Sequence, residues 1–178
     1  SNNRVGIGNG NPQNKLDISA LTWDDGLLIK NTGNFNVGII ADANRTSAGG
    51  GILNLASKWN GTEVAGILFQ TGSDTTNKDD GEIVFRTASA GTPTERVRIS
   101  NAGNFFVQKT GKNVAVLGHE LNASSYASHT RSDATVLYIN RHTSDGTIVD
   151  LMKDNTSVGS IGTEGGDISI GTGIVGLQ

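Results

Sequence analysis

The 178-residue chain has no cysteine, only two prolines and no long apolar run. Without cysteine there is neither a disulfide frame nor a thiolate metal site, and the redox compartment stays open. The longest apolar stretches, such as Ala65 to Phe69 with a glycine inside it, fall far short of the roughly 20 residues that span a bilayer. No membrane insertion is expected. So few prolines, set among many Val and Ile residues, argue against Pro-rich disorder, and no Gly-X-Y period suggests collagen. Aromatic residues make up 5% of the chain and hydrophobic residues 35%. A thin core must therefore come from short aliphatic strands, with neighbouring subunits as one way to complete it. Fourteen Lys and Arg stand against 17 Asp and Glu, a net charge of −3, and the basic residues are dispersed singly. That leaves no electrostatic footprint for nucleic acid or an anionic membrane surface. The chain begins at Ser1 without an initiator methionine or a secretory pattern behind it, so it reads as a processed piece or an expressed fragment.

Glycine is abundant, with 25 residues, about twice the usual share, beside 18 Asn, 18 Thr and 15 Ser. Glycine costs a helix about 1 kcal/mol relative to alanine, and Asn, Ser and Thr bond to nearby backbone in competing conformations. An all-helical protein is excluded. Strand signals recur instead at short intervals, bounded by glycine or Asn/Asp turn chemistry. The clearest hairpin runs from Ile52 to Trp59, turns at Asn60-Gly61 and returns through Thr62 to Gln70, because Asn-Gly accepts the two positive φ values of a type I′ turn. A second is expected from Val136–Thr143 through Ser144-Asp145-Gly146 to Thr147–Lys153. A third pairs Glu95–Ser100 with Phe105–Thr110 around Asn101-Ala102-Gly103-Asn104. Ile83 and Phe85 alternate onto one face, and Val97 and Ile99 onto another. The Ser-rich stretch Asn122–Ser132 reads as a loop or one helical turn.

The chain also resembles itself. Leu28-Ile29-Lys30 before 31–40 is echoed by Tyr138-Ile139-Asn140 before 141–149, and Val64-Ala65-Gly66-Ile67 by Val158-Gly159-Ser160-Ile161. Two related β-rich units, about 1–105 and about 106–178, would account for this, although shared composition produces weak echoes as well.

Particular motifs suggest a family. Val5-Gly6-Ile7-Gly8, Asn9-Gly10-Asn11-Pro12 and Lys15-Leu16-Asp17-Ile18 together resemble a segment that recurs in tail fibres and other receptor-binding proteins of tailed bacteriophages. Glu95-Arg96-Val97-Arg98-Ile99 before Asn101-Ala102-Gly103-Asn104-Phe105 is similar to its usual companion. In the family that companion often precedes another Val-Gly-Ile-Gly unit, whereas Phe105-Phe106-Val107 stands here. Tyr138-Ile139-Asn140-Arg141, Gly146-Thr147-Ile148-Val149, Val158 to Gly162 and Asp167 to Gly171 resemble the stretch that leads, in many such fibres, into a self-cleaving C-terminal chaperone, which this chain lacks.

The resemblance implies an all-β segment of a tail fibre or tailspike, with short antiparallel strands and hairpins intertwined or packed in an elongated homotrimer, and little or no helix. The physics is compatible, since short strands with few aromatics leave edges and faces unfinished, and a closed threefold assembly covers them without runaway growth. The role the resemblance implies is structural and host-recognising: a virion protein that joins other phage tail proteins and adheres to a bacterial surface receptor, a surface glycan. The alternatives are a polysaccharide-depolymerising tailspike segment and a bacterial trimeric surface adhesin, although the latter normally brings heptad stalks and a membrane anchor.

Catalytic motifs are missing. No Gly-x-Ser-x-Gly elbow occurs, and Gly171, Gly173 and Gly176 match dinucleotide-binding spacing with only Leu177 and Gln178 behind them, too little for the required helix. The cluster Asp74, Asp79, Asp80 and Glu82 invites a calcium or glycosidase reading, but Thr76 and Lys78 occupy the positions where EF-hand ligands belong, so a solvated loop is expected. His119, His129 and His142 lie ten and thirteen residues apart, outside zinc-site spacing. The expectation is a non-enzyme with no catalytic residue, metal or cofactor. Sugar binding is harder to dismiss, because an exposed ring stacks on a saccharide while Asn or Asp bonds its hydroxyls. The candidates are Trp59 with Asn60 at the hairpin tip, Tyr126 in the least regular segment, and Trp23. For Trp59 the competing reading, a ring packed between chains, is favoured, and Tyr138 reads as core.

Overall fold

The computed structural model describes residues 4–19, 27–172 and 175–177. They form an all-β structure without helix. The chain divides into two compact units, Ser1–Ala43 and Asn44–Gln178.

In the first unit β1 (Val5–Ile7) pairs with β2 (Leu16–Ile18), and the pairing is parallel, unlike the antiparallel strands expected. Parallel neighbours usually need a crossover of a dozen or more residues. Strands of three residues each need less, and a tight loop-back serves here. Its geometry explains the first motif. The Asn9 side chain accepts the Asn11 amide at 2.9 Å, Asp17 accepts the Gln13 amide at 2.8 Å, and Arg4 donates to the Pro12 carbonyl at 2.9 Å. A Cβ on Gly6 would stand 2.1 Å from the Asn9 carbonyl oxygen, a backbone atom with nowhere to go, whereas Gly10 has open space around it. Gly6→Ala is therefore expected to destabilise this unit by about 1–3 kcal/mol, the range for forced overpacking. Hydrogen exchange at the Val5 and Ser19 amides, bonded at 2.7 and 2.9 Å across the pair, should accelerate in Gly6→Ala and not in Gly10→Ala. Equal exchange in both variants would refute the steric account.

The second unit holds two antiparallel sheets. The larger has seven strands in chain order: β3 (Gly51–Trp59), β4 (Thr62–Thr71), β5 (Gly81–Thr87), β6 (Thr94–Ile99), β7 (Phe105–Val107), β8 (Gly118–Leu121) and β9 (Ala127–Thr130). The smaller has four, β10 (Gly146–Lys153), β11 (Thr156–Glu164), β12 (Asp167–Thr172) and β13 (Val175–Leu177). The expected division near residue 105 falls at the start of β7, within the larger sheet.

Turn chemistry sets these pairings. Asn60 and Gly61 have φ of 47° and 86°, closing the β3–β4 hairpin at the residues foreseen. The β6–β7 hairpin also stands, closed by Gly103 at φ 77° and the Ser100 amide donating to Asn104 O at 3.0 Å. The hairpin expected between Val136–Thr143 and Thr147–Lys153 does not form. β10 pairs instead with β11, because Asp154 and Asn155, at φ 50° and 63°, make the tighter two-residue turn. Residues 136–143 carry no strand, and Tyr138, expected in the core, is 82% exposed. Asn122–Ser132 is neither helical turn nor loop throughout: the Asn122 amide donates to the Tyr126 carbonyl at 2.8 Å, and β9 follows.

Candidate functional site

Cross-strand register sorts the large sheet into two unlike faces. One carries the row Leu55, Ile67, Phe85, Val97 and Val107, and beside it the row Leu53, Phe69, Ile83, Ile99, Phe105 and Leu121. The pairs Ile83/Phe85 and Val97/Ile99 thus meet on a single sheet face. Within the second unit each described strand contacts only its sequence neighbours, so no strand layer packs on this apolar face. Leu55, Phe85, Phe105 and Leu121 are exposed.

The opposite face is polar and ordered. Arg98 donates to Glu95 at 2.8 and 2.6 Å and to Glu82, which also accepts Gln70 Nε2 at 2.9 Å. The two carboxylates, Glu95 foremost, raise the Arg98 pKa further. Arg86 reaches Asn54 at 2.8 Å and Glu63 at 3.1 Å. Val84 and Phe106, the buried hydrophobics among the described residues, lie on this face, flanking Arg98 in register. At its far side Glu120, opposite Phe106, pairs with Lys109 at 2.9 Å, and neither side chain has solvent-accessible surface. Lys109 Nζ also donates to the Asn113 carbonyl at 2.8 Å. Asn122 Nδ2 and the Tyr126 hydroxyl donate to the other Glu120 oxygen at 3.1 and 3.0 Å. The Lys109 ammonium, then Asn122 and Tyr126, hold the Glu120 carboxyl below its ordinary range against the opposing effect of burial.

Loops 44–50, 72–80, 100–104 and 122–126 gather at one end of the sheet and bond to one another in chain order. Lys78 Nζ donates to Asn44 Oδ1, Asn101 Nδ2 to Asp80 at 2.7 Å, and the Ala123 amide to Asn104 Oδ1 at 3.0 Å. Inside the acidic loop Asp74 accepts the Asn77 and Thr76 amides at 3.1 and 2.8 Å, which lowers its pKa. Among the described residues no group of three or more His, Asp or Glu is placed to hold a metal ion.

The sugar-binding candidates do not converge. Trp59 is 79% exposed at the β3–β4 tip beside Asn60. Tyr126 belongs to the looped end, at the opposite end of the sheet and five strands across, about 24 Å at normal strand spacing. Its hydroxyl is committed to Glu120, and Lys112 Nζ lies 5.3 Å from its ring centroid. Trp23 lies outside the described residues. The Lys109–Glu120 pair escaped sequence reasoning because it forms only once β7 and β8 align across residues 108–117. The alternation of Glu95-Arg96-Val97-Arg98-Ile99 was the one available signal for the charged face. No family model, curated protein or solved structure matches this chain.

Proposed function

We propose that this chain is a structural and host-recognition segment of a phage tail fibre, non-enzymatic, acting as a homotrimer on the virion and adhering to a bacterial surface glycan. The observation that carries the reading is the open apolar face of the seven-stranded sheet, with rows from Leu55 to Val107 and Leu53 to Leu121 on one side. A single-layer sheet with one apolar face needs a second layer, and copies of itself supply one with closed symmetry. The motif resemblance of residues 5–18 and 95–105 points the same way. The Asn- and Asp-rich looped end offers groups that bond sugar hydroxyls, and three copies multiply weak contacts through avidity. Light scattering coupled to size exclusion tests the reading. A mass about three times 18.5 kDa is expected, and a stable, folded monomer would overturn it.

A further inference from the structure

Ten residues of intervening sequence hide a side-chain pair that the sheet assembles. β8 and β9 place His119 directly opposite His129. Their Nδ1 atoms are 2.7 Å apart and their ring centroids 4.9 Å apart, tilted by 58°. Both side chains are exposed, at the end of the row that runs through Val97 and Val107. At that separation the two Nδ1 atoms are within hydrogen-bond distance, so two ring nitrogens already face one shared gap.

We propose that His119 and His129 form a chelating site for a divalent transition-metal ion of the copper, nickel and zinc group. Nitrogen–metal bonds of about 2.0–2.1 Å place two ligand atoms about 2.9 Å apart at a right angle and about 3.3 Å apart at a tetrahedral angle. Seating the ion needs the pair to open by about 0.2 to 0.6 Å and both rings to turn so that their lone pairs meet at the metal instead of facing each other, rotations open to exposed side chains. The strand backbones hold the two Cβ atoms in cross-strand register beforehand, so the second imidazole binds at high effective concentration. No carboxylate completes a three-residue cluster here, and an all-imidazole ligand set selects these metals over magnesium or calcium. Water fills the remaining coordination positions. The ion ties β9, a four-residue edge strand, to β8. Both ligands come from one chain.

Titration of the full chain with NiCl2 and ZnCl2, followed by calorimetry and histidine ring NMR signals, tests the site. One ion per chain is expected, with perturbation of the His119 and His129 resonances and not of His142, and slower hydrogen exchange in β9. His119→Gln or His129→Gln should each weaken binding by about 100-fold, since one imidazole cannot chelate, while His142→Gln leaves it unchanged. MgCl2 should give no response. Absence of nickel and zinc binding, equal binding of magnesium, or unchanged affinity in both single variants would overturn the proposal.

Discussion

Lys109→Met is expected to lower the denaturant midpoint at neutral pH, because it removes one partner of an ion pair withdrawn from solvent. Lys109 and Glu120 are both withdrawn from solvent at 2.9 Å. Methionine keeps much of the stem but leaves the Glu120 carboxylate with only Asn122 and Tyr126 as donors. Lys58→Met, on the exposed end of β3, should change stability within about 0.5 kcal/mol, as exposed substitutions usually do. The double variant Lys109→Met/Glu120→Gln should recover much of the loss, because Gln keeps a carbonyl oxygen for both donors without the charge. The pH dependence carries a definite sign. The folded chain holds the Glu120 carboxyl below its ordinary 4.5, so its contribution is present above about 4.5 and is lost as pH falls through the lower folded value. In Lys109→Met the leading cause of that depression is gone and burial pushes the carboxyl upward. The gap between variant and parent should then be widest near neutral pH and shrink on acidification as Glu120 takes up a proton. Denaturant midpoints measured across that range check this. A loss at neutral pH no larger than that of Lys58→Met, or a gap that does not change with pH, would refute the account.

What the sequence made legible was whatever is decided within a few residues. Asn60-Gly61 fixed a hairpin because two positive φ values leave few other residue types comfortable there. Asn101 to Asn104 did the same for β6 and β7. The failures share a cause, which is competition between two local signals. Ser144-Asp145-Gly146 and Asp154-Asn155 both read as turns around Gly146–Lys153, and only the second positions a strand of matching length, Thr156–Glu164, behind it. Residues 136–143 then join no strand ladder. The parallel pairing of β1 and β2 was hidden for a different reason, since a short parallel pair has no compact turn signature of its own.

The candidate site was less readable than the fold, because sites depend on register between strands separated by loops. Alternation around Val97 and Phe85 indicated that each strand has an apolar side, but only the ladder shows those sides coinciding across six strands. Phe105 and Phe106 are adjacent and chemically identical, yet Phe106 is buried among charged neighbours and Phe105 faces outward on the apolar side. No property of either residue separates them before the pleat is assigned.

Phe85→Asp follows from that assignment and tests the proposed assembly at its centre. Phe85 sits between Ile67 and Val97 in the apolar row, with Leu55 beyond. If copies of the chain cover this face, each assembly buries one new unpaired carboxylate per chain, at a cost on the order of several kcal/mol apiece. The expected result is a fall in mass from about three times 18.5 kDa to that of one chain. Asn54→Asp supplies the same charge on the opposite face beside Arg86, whose guanidinium already donates to Asn54 at 2.8 Å, and should leave the mass unchanged. Leu55→Asp, at the exposed edge strand of the apolar face, provides a second reading less exposed to misfolding than a central position. Far-ultraviolet circular dichroism separates loss of assembly from loss of fold. Retained assembly in both Phe85→Asp and Leu55→Asp would mean that the apolar face is not the surface through which the chains associate.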